Sequence, residues 1–107
     1  LTSGEDIADL GGTILAWVAW KEATKGKTLE PADGLTPEQR FFVGLAQWAC
    51  ENQRPENLRV NATTNPHSPG KYRINGVVAN MPEFAAAFQC KAGSALVTAP
   101  DKVCKVW

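Results

Sequence analysis

LTSGEDIADLGGTILAWVAW, residues 1–20, places three acids, Glu5, Asp6 and Asp9, ahead of a run that is almost wholly apolar. From Glu5 to about Lys21 the spacing predicts a buried helix. Ile7, Leu10, Ile14 and Val18 share one stripe, and Trp17 and Trp20 fill the other sides. Glycine costs about 1 kcal/mol in a helix interior, so Gly11-Gly12 is expected to mark close packing or a local irregularity. Residues four apart differ by about 40° around a helix axis, which puts Glu5 and Asp9 on one face of adjacent turns. Like charges at that spacing repel by a few tenths of a kcal/mol when exposed and far more when buried. Either the first turn is exposed and its acids favour the helix dipole, or a cation compensates them, a metal ion or an imidazolium.

The 107 residues, with 44% hydrophobic content, describe a chain that can bury a modest core. Eleven basic and eleven acidic residues cancel, with no Lys/Arg stripe, so charge recommends neither nucleic acid nor an anionic membrane as a partner. The longest apolar stretch, Thr13 to Trp20, is far short of the roughly 20 residues that span a bilayer, so no membrane segment lies within these residues. The chain starts without an initiator Met or a signal-peptide pattern. Cys50, Cys90 and Cys104 are odd in number and too widely spaced for a CxxC pair, which argues against a self-contained zinc ribbon or redox motif. They are either buried free thiols or, in an oxidising compartment, partners of cysteines outside this chain. Asn61-Ala62-Thr63 is a glycosylation acceptor if the source is eukaryotic.

Lys21 to Leu35 is polar and turn-rich and is expected as a loop. Thr36, Pro37 and Gln39 form a capping-box start for a second helix running to about Glu51, with Phe41, Phe42, Leu45, Trp48 and Ala49 as its apolar face. Arg54-Pro55-Glu56 breaks it, and a short helix is expected over Glu56 to Asn61. Asn65 to Asn75 carries turn signals, Tyr72 to Val78 is the best strand candidate, and Pro82 to Gln89 reads as helix behind a cap at Asn80 or Met81. The tail is expected to be irregular. The fold class is mainly α, with long loops and at most one short strand.

A second polar cluster lies at Pro66-His67-Ser68-Pro69-Gly70-Lys71-Tyr72-Arg73. His67 is the only histidine, so this chain alone can make no multi-histidine metal site. A histidine between prolines is commonly a hydrogen-bonded turn residue, and a lone arginine is commonly a salt-bridge partner. Held by a stiff turn, the two could instead offer preorganised donors to an oxyanion and to a substrate carbonyl.

Taken together, the clusters resemble a known family. Gly4-Glu5-Asp6-Ile7-Ala8-Asp9 is similar to the G-E-N-I-A-D segment of the neprilysin family of zinc metallopeptidases, with Asp6 in place of the usual Asn. Asn65-Pro66-His67-Ser68-Pro69-Gly70-Lys71-Tyr72-Arg73-Ile74-Asn75-Gly76 resembles that family's H-x-P-G-x-[FY]-R segment and the N-G beyond it. Phe41-Phe42, Arg54-Pro55-Glu56, Pro82-Glu83-Phe84 and Cys104-Lys105-Val106-Trp107 resemble the family's C-terminal region in the same order.

The resemblance implies that residues 1–107 are the C-terminal part of a thermolysin-like (gluzincin) catalytic domain, whose H-E-x-x-H helix lies outside this chain. It implies a zinc metalloendopeptidase that hydrolyses oligopeptides or small proteins through zinc-activated water, with one Zn²⁺ per complete domain. Glu5 stands at the third zinc ligand. Asp9 stands at the carboxylate that orients a zinc-bound histidine by accepting its ring N–H. His67 matches the residue that stabilises the tetrahedral intermediate, and Arg73 the one that binds the substrate's carbonyl. The acid at Asp6 loses whatever donor contact an amide makes there. The implied partners are the upstream portion of the same peptidase and peptide substrates. Cys50, Cys90 and Cys104 are expected to form disulfides with upstream cysteines, in a secreted or membrane-anchored ectodomain (periplasmic or secreted in a bacterium). The rival from another class is a non-catalytic relative or a disulfide-linked interaction module that keeps the scaffold.

Overall fold

Among residues 1–106, which a computed structural model describes, five helices occur in the order α1 (Ser3–Thr24), α2 (Pro37–Trp48), α3 (Pro55–Thr64), α4 (Gly70–Ala79) and α5 (Pro82–Ala87). Trp107, the last residue of the family-like ending, lies outside the described residues. α1 runs unbroken through Gly11-Gly12. Gly11 is buried, while a Cβ at Gly12 would meet nothing within 4 Å, so only one of the pair faces the interior. Glu5 and Asp6 in its first turn and Lys21 in its last complement the helix dipole.

The apolar stripe expected along α1 splits. Leu10, Gly11 and Thr13 are buried and Ile14 and Trp17 pack onto the core, but Ile7, Leu15 and Val18 are 54–58% exposed. α1 therefore buries one face rather than all of them. The other elements are too few to wrap it.

The α2 cap forms as the sequence predicts. The Gln39 amide donates to the Thr36 hydroxyl at 3.2 Å, and the Thr36 amide donates to the Gln39 side chain at 3.0 Å. The same Gln39 side chain donates to the carbonyl of Ala87, tying α2 to the end of α5. α2 stops at Trp48, three residues short of the expected Glu51, and α3 starts at Pro55, where a proline loses nothing at the first helical position. Asp33 and Gly34, at φ 54° and 74°, make the tight turn that closes an isolated bridge between Ala32 and Leu35.

The largest correction concerns Tyr72 to Val78, expected as a strand and found inside α4. Gly70, Ile74, Val77 and Val78 lie at i, i+4, i+7 and i+8, and these are the positions α4 turns inward. That helical period overrides the weak β preference of Ile74, Val77 and Val78. The core comprises Leu10, Phe42, Val77, Val78 and Met81, and Trp17, Phe41, Phe84 and Phe88 surround it as an aromatic cluster with neighbouring ring centroids 4.9–6.5 Å apart. α1 packs on α4, and α5 closes against α2 and α4. This arrangement holds the start of α1 beside the start of α4.

Candidate active site

The acids of α1 meet cations from within the same chain. Asp9 receives a bidentate pair of hydrogen bonds from Arg73, Nε to Oδ2 at 2.6 Å and Nη2 to Oδ1 at 2.7 Å, across 64 residues of sequence. Both side chains are largely buried, at 17% and 18% exposed. The carboxylate holds the Arg73 guanidinium above its usual pKa, chiefly through these hydrogen bonds. Arg73 also lies over the ring of Trp48, with Cζ 4.6 Å from the centroid. A planar guanidinium gripped on one edge and stacked on one face has little freedom left.

Glu5, one turn earlier, faces His67, with Oε2 at 3.2 Å from Nε2. The other ring nitrogen, Nδ1, is 3.0 Å from Oδ1 of Asn65, which also accepts the His67 amide at 2.9 Å in an Asx-type turn. Each ring nitrogen thus points at an oxygen that can only accept, so both contacts are hydrogen bonds when both nitrogens carry protons. Between these pairs, Ser68 donates to Oδ2 of Asp6 at 2.9 Å. Oδ1 of Asp6 is buried with no partner among the described residues. An amide at this position would present a donor where Asp6 leaves an orphaned acceptor.

All four site residues expected from the sequence, Glu5, Asp9, His67 and Arg73, therefore converge on one face, where the first two turns of α1 meet the 65–69 turn and the start of α4. At Asp9 the compensating cation is the Arg73 guanidinium, and at Glu5 the facing group is the His67 ring. A cleft of about 360 Å³ opens beside them, with Trp48, Glu51, Gln53, Asn61, His67 and Arg73 in its walls. Asn61 lines this cleft with its Nδ2 donating to Gln53, inside α3. Trp48, expected in the buried face of α2, is 60% exposed and serves as the platform for Arg73. Trp48, Asn65, Ser68 and Glu51 were not singled out as site residues by the sequence. The Asx signal at Asn65, two residues before His67, was available there.

Among the described residues no three His, Cys, Asp or Glu side chains gather closely enough to hold a metal. Glu5 remains suited to one share of such a site, because its carboxylate is 46% exposed and carboxylate oxygen is a normal zinc donor. Cys50 and Cys104 are exposed, Cys90 is half-buried, and none of the three pairs within the chain. No helix among the described residues is long and apolar enough to cross a membrane.

Residues 1–104 match the model of peptidase family M13. Neprilysin-1 of Caenorhabditis elegans is 46% identical over 112 aligned positions, which cover all of this chain and 15% of that protein. Endothelin-converting enzyme 1 of Cavia porcellus is 40% identical over 109, covering 99% of this chain and 14% of that one. The zinc metalloprotease Zmp1 of Mycobacterium tuberculosis, solved in an open state, superposes with a TM-score of 0.92 at 37% identity, covering 99% of this chain and 16% of that chain. The chain thus spans about 15% of the length of the curated relatives it matches.

Proposed function

Because the chain belongs to peptidase family M13, a family of zinc metallopeptidases, we propose that it is the C-terminal part of a catalytic domain that hydrolyses peptide bonds. Its H-E-x-x-H segment lies upstream. The observation that carries this reading is the convergence of Glu5, Asp9, His67 and Arg73 on one face from two segments, with Asp9 and Arg73 64 positions apart in sequence. Glu5 is the ligand this chain contributes to zinc. When bound, the metal lowers the pKa of a coordinated water towards about 7 and polarises the scissile carbonyl.

The chain's own residues bind and orient. Asp9 fixes Arg73 through Nε and Nη2, leaving Nη1 free to donate to a substrate carbonyl while Trp48 holds the guanidinium plane. Each Asp9 oxygen keeps a second lone pair, enough to accept the ring N–H of an upstream histidine as well. His67, steered by Asn65, presents Nε2 beside Glu5, and a donor so placed would stabilise the oxyanion of the tetrahedral intermediate. The substrates of this reading are peptides. The setting is an ectodomain or secreted enzyme, in which Cys50, Cys90 and Cys104 pair with upstream cysteines.

The test uses the full-length protein. Glu5→Ala is expected to abolish both zinc binding near one per molecule and cleavage of a fluorogenic peptide. His67→Ala should lower kcat by about 10²–10³ with KM little changed, and Arg73→Ala should chiefly raise KM. Zinc content that Glu5→Ala leaves intact, or an upstream sequence without H-E-x-x-H, overturns the proposal.

A further inference from the structure

The first turn of α4 lacks a cap of its own: Pro69, its N-cap residue, offers no side-chain acceptor, and no acid lies in that turn. The Gly70 amide donates instead to Oε1 of Glu51, from the segment that follows α2, at 2.7 Å. A Cβ on residue 70 would overlap the carbonyl oxygen of Ala49 and stand 3.2 Å from Glu51 Oε1, so only glycine lets the two segments come this close. The same segment departs from Trp48, the platform of Arg73. The end of α2 and the segment after it therefore hold the start of α4 at two points, Gly70 and Arg73 itself. At neutral pH the Glu51 carboxylate faces the positive end of α4 with its full charge, and the Gly70 amide, with a smaller contribution from Gln53, holds the carboxyl below its ordinary pKa.

We propose that Glu51 is a positioning residue: by capping α4 from the segment that follows α2, its carboxylate sets the place of Arg73 and of the His67 turn without touching substrate. The inference rests on the roles given above to Arg73 and His67. Glu51 belongs to neither the metal ligands nor the residues that meet the reacting carbonyl, and the work it does is to hold a helix start in register with the acids of α1.

In the full-length zinc-loaded peptidase, Glu51→Ala is expected to raise KM for a peptide substrate about tenfold, the scale on which a displaced binding group is felt. It should also speed amide hydrogen exchange across residues 70–73. Glu51→Gln, which keeps an acceptor for the Gly70 amide, should hold KM within about twofold of wild type and leave exchange slow. In an Arg73→Ala background, Glu51→Ala should add less than about twofold to KM, since its effect on KM runs through Arg73 and an effect through His67 falls on kcat. An undiminished loss in that background, equal losses from Glu51→Ala and Glu51→Gln, or unchanged exchange overturns the inference and leaves the role of Arg73 standing. A wild-type KM for Arg73→Ala alone overturns the role of Arg73, and the inference with it.

Discussion

Arg73 carries more of the site than any other side chain, because three separate contacts restrain it: two hydrogen bonds to Asp9 and one aromatic face. Removing it leaves the Asp9 carboxylate, 18% exposed, without its cation. Arg73→Ala is expected to destabilise the fold by about 3 kcal/mol, as for other buried pairs that lose one partner. Arg73→Lys should fall between, because an ammonium keeps the charge but neither the fork nor the stack; urea denaturation of the three proteins ranks them. Glu51 makes a different prediction, one of pH. Its folded-state pKa lies below the ordinary value of 4.5, mainly through the Gly70 amide, with Arg73 adding a smaller attraction. The ionised form is therefore bound more tightly folded than unfolded. The stability it contributes is complete above about 4.5 and is lost as the pH falls through the lowered pKa. The gap in urea midpoint between wild type and Glu51→Gln should hold steady down to about pH 4.5 and close below it.

At the scale of elements, α4 decides whether the site exists, and it is also where sequence and structure part. Two glycines of this one helix should respond oppositely to alanine. At Gly70 a methyl would overlap the Ala49 carbonyl, so Gly70→Ala is expected to cost about 1–3 kcal/mol and to loosen the cap at Glu51. At Gly76 a methyl meets open space in the same helix, and Gly76→Ala should stabilise by about 0.5–1 kcal/mol. Thermal midpoints of the two variants, shifted in opposite directions, check both. The starts of α2 and α5 were legible because each places proline at the first helical position, and α2 adds a capping box that forms as written, whereas Pro55, read as a break, turns out to open α3, one residue before the expected Glu56. α4 was not legible, because its cap comes from Glu51, 19 residues earlier, and its β-branched residues read as strand when taken alone. The acid pair and the His–Arg turn were legible as chemistry. That Arg73 would answer Asp9 was not, since nothing local to either residue signals a contact across 64 positions.

The whole molecule is spread wider than its length requires. Its radius of gyration is 15.2 Å, against about 13 Å for a self-contained domain of this size. Among the described residues five hydrophobic side chains form the buried core, while Ile7, Leu15 and Val18 leave the outer face of α1 more than half exposed. A helix that is apolar on nearly every side belongs inside a larger body, which agrees with the proposal that residues 1–107 complete a catalytic domain begun upstream. The two settings then differ for a single residue. In the full-length protein, Leu15→Glu should place an unpaired charge in a packed interface and destabilise it by about 2–5 kcal/mol, the range seen when buried leucines are lost. In the isolated 107-residue chain the same substitution replaces an apolar group already 57% exposed, so it should leave helicity unchanged and reduce self-association in sedimentation runs. A full-length variant with an unaltered thermal midpoint would mean that the outer face of α1 stays open to solvent there, and the upstream part would have to dock elsewhere.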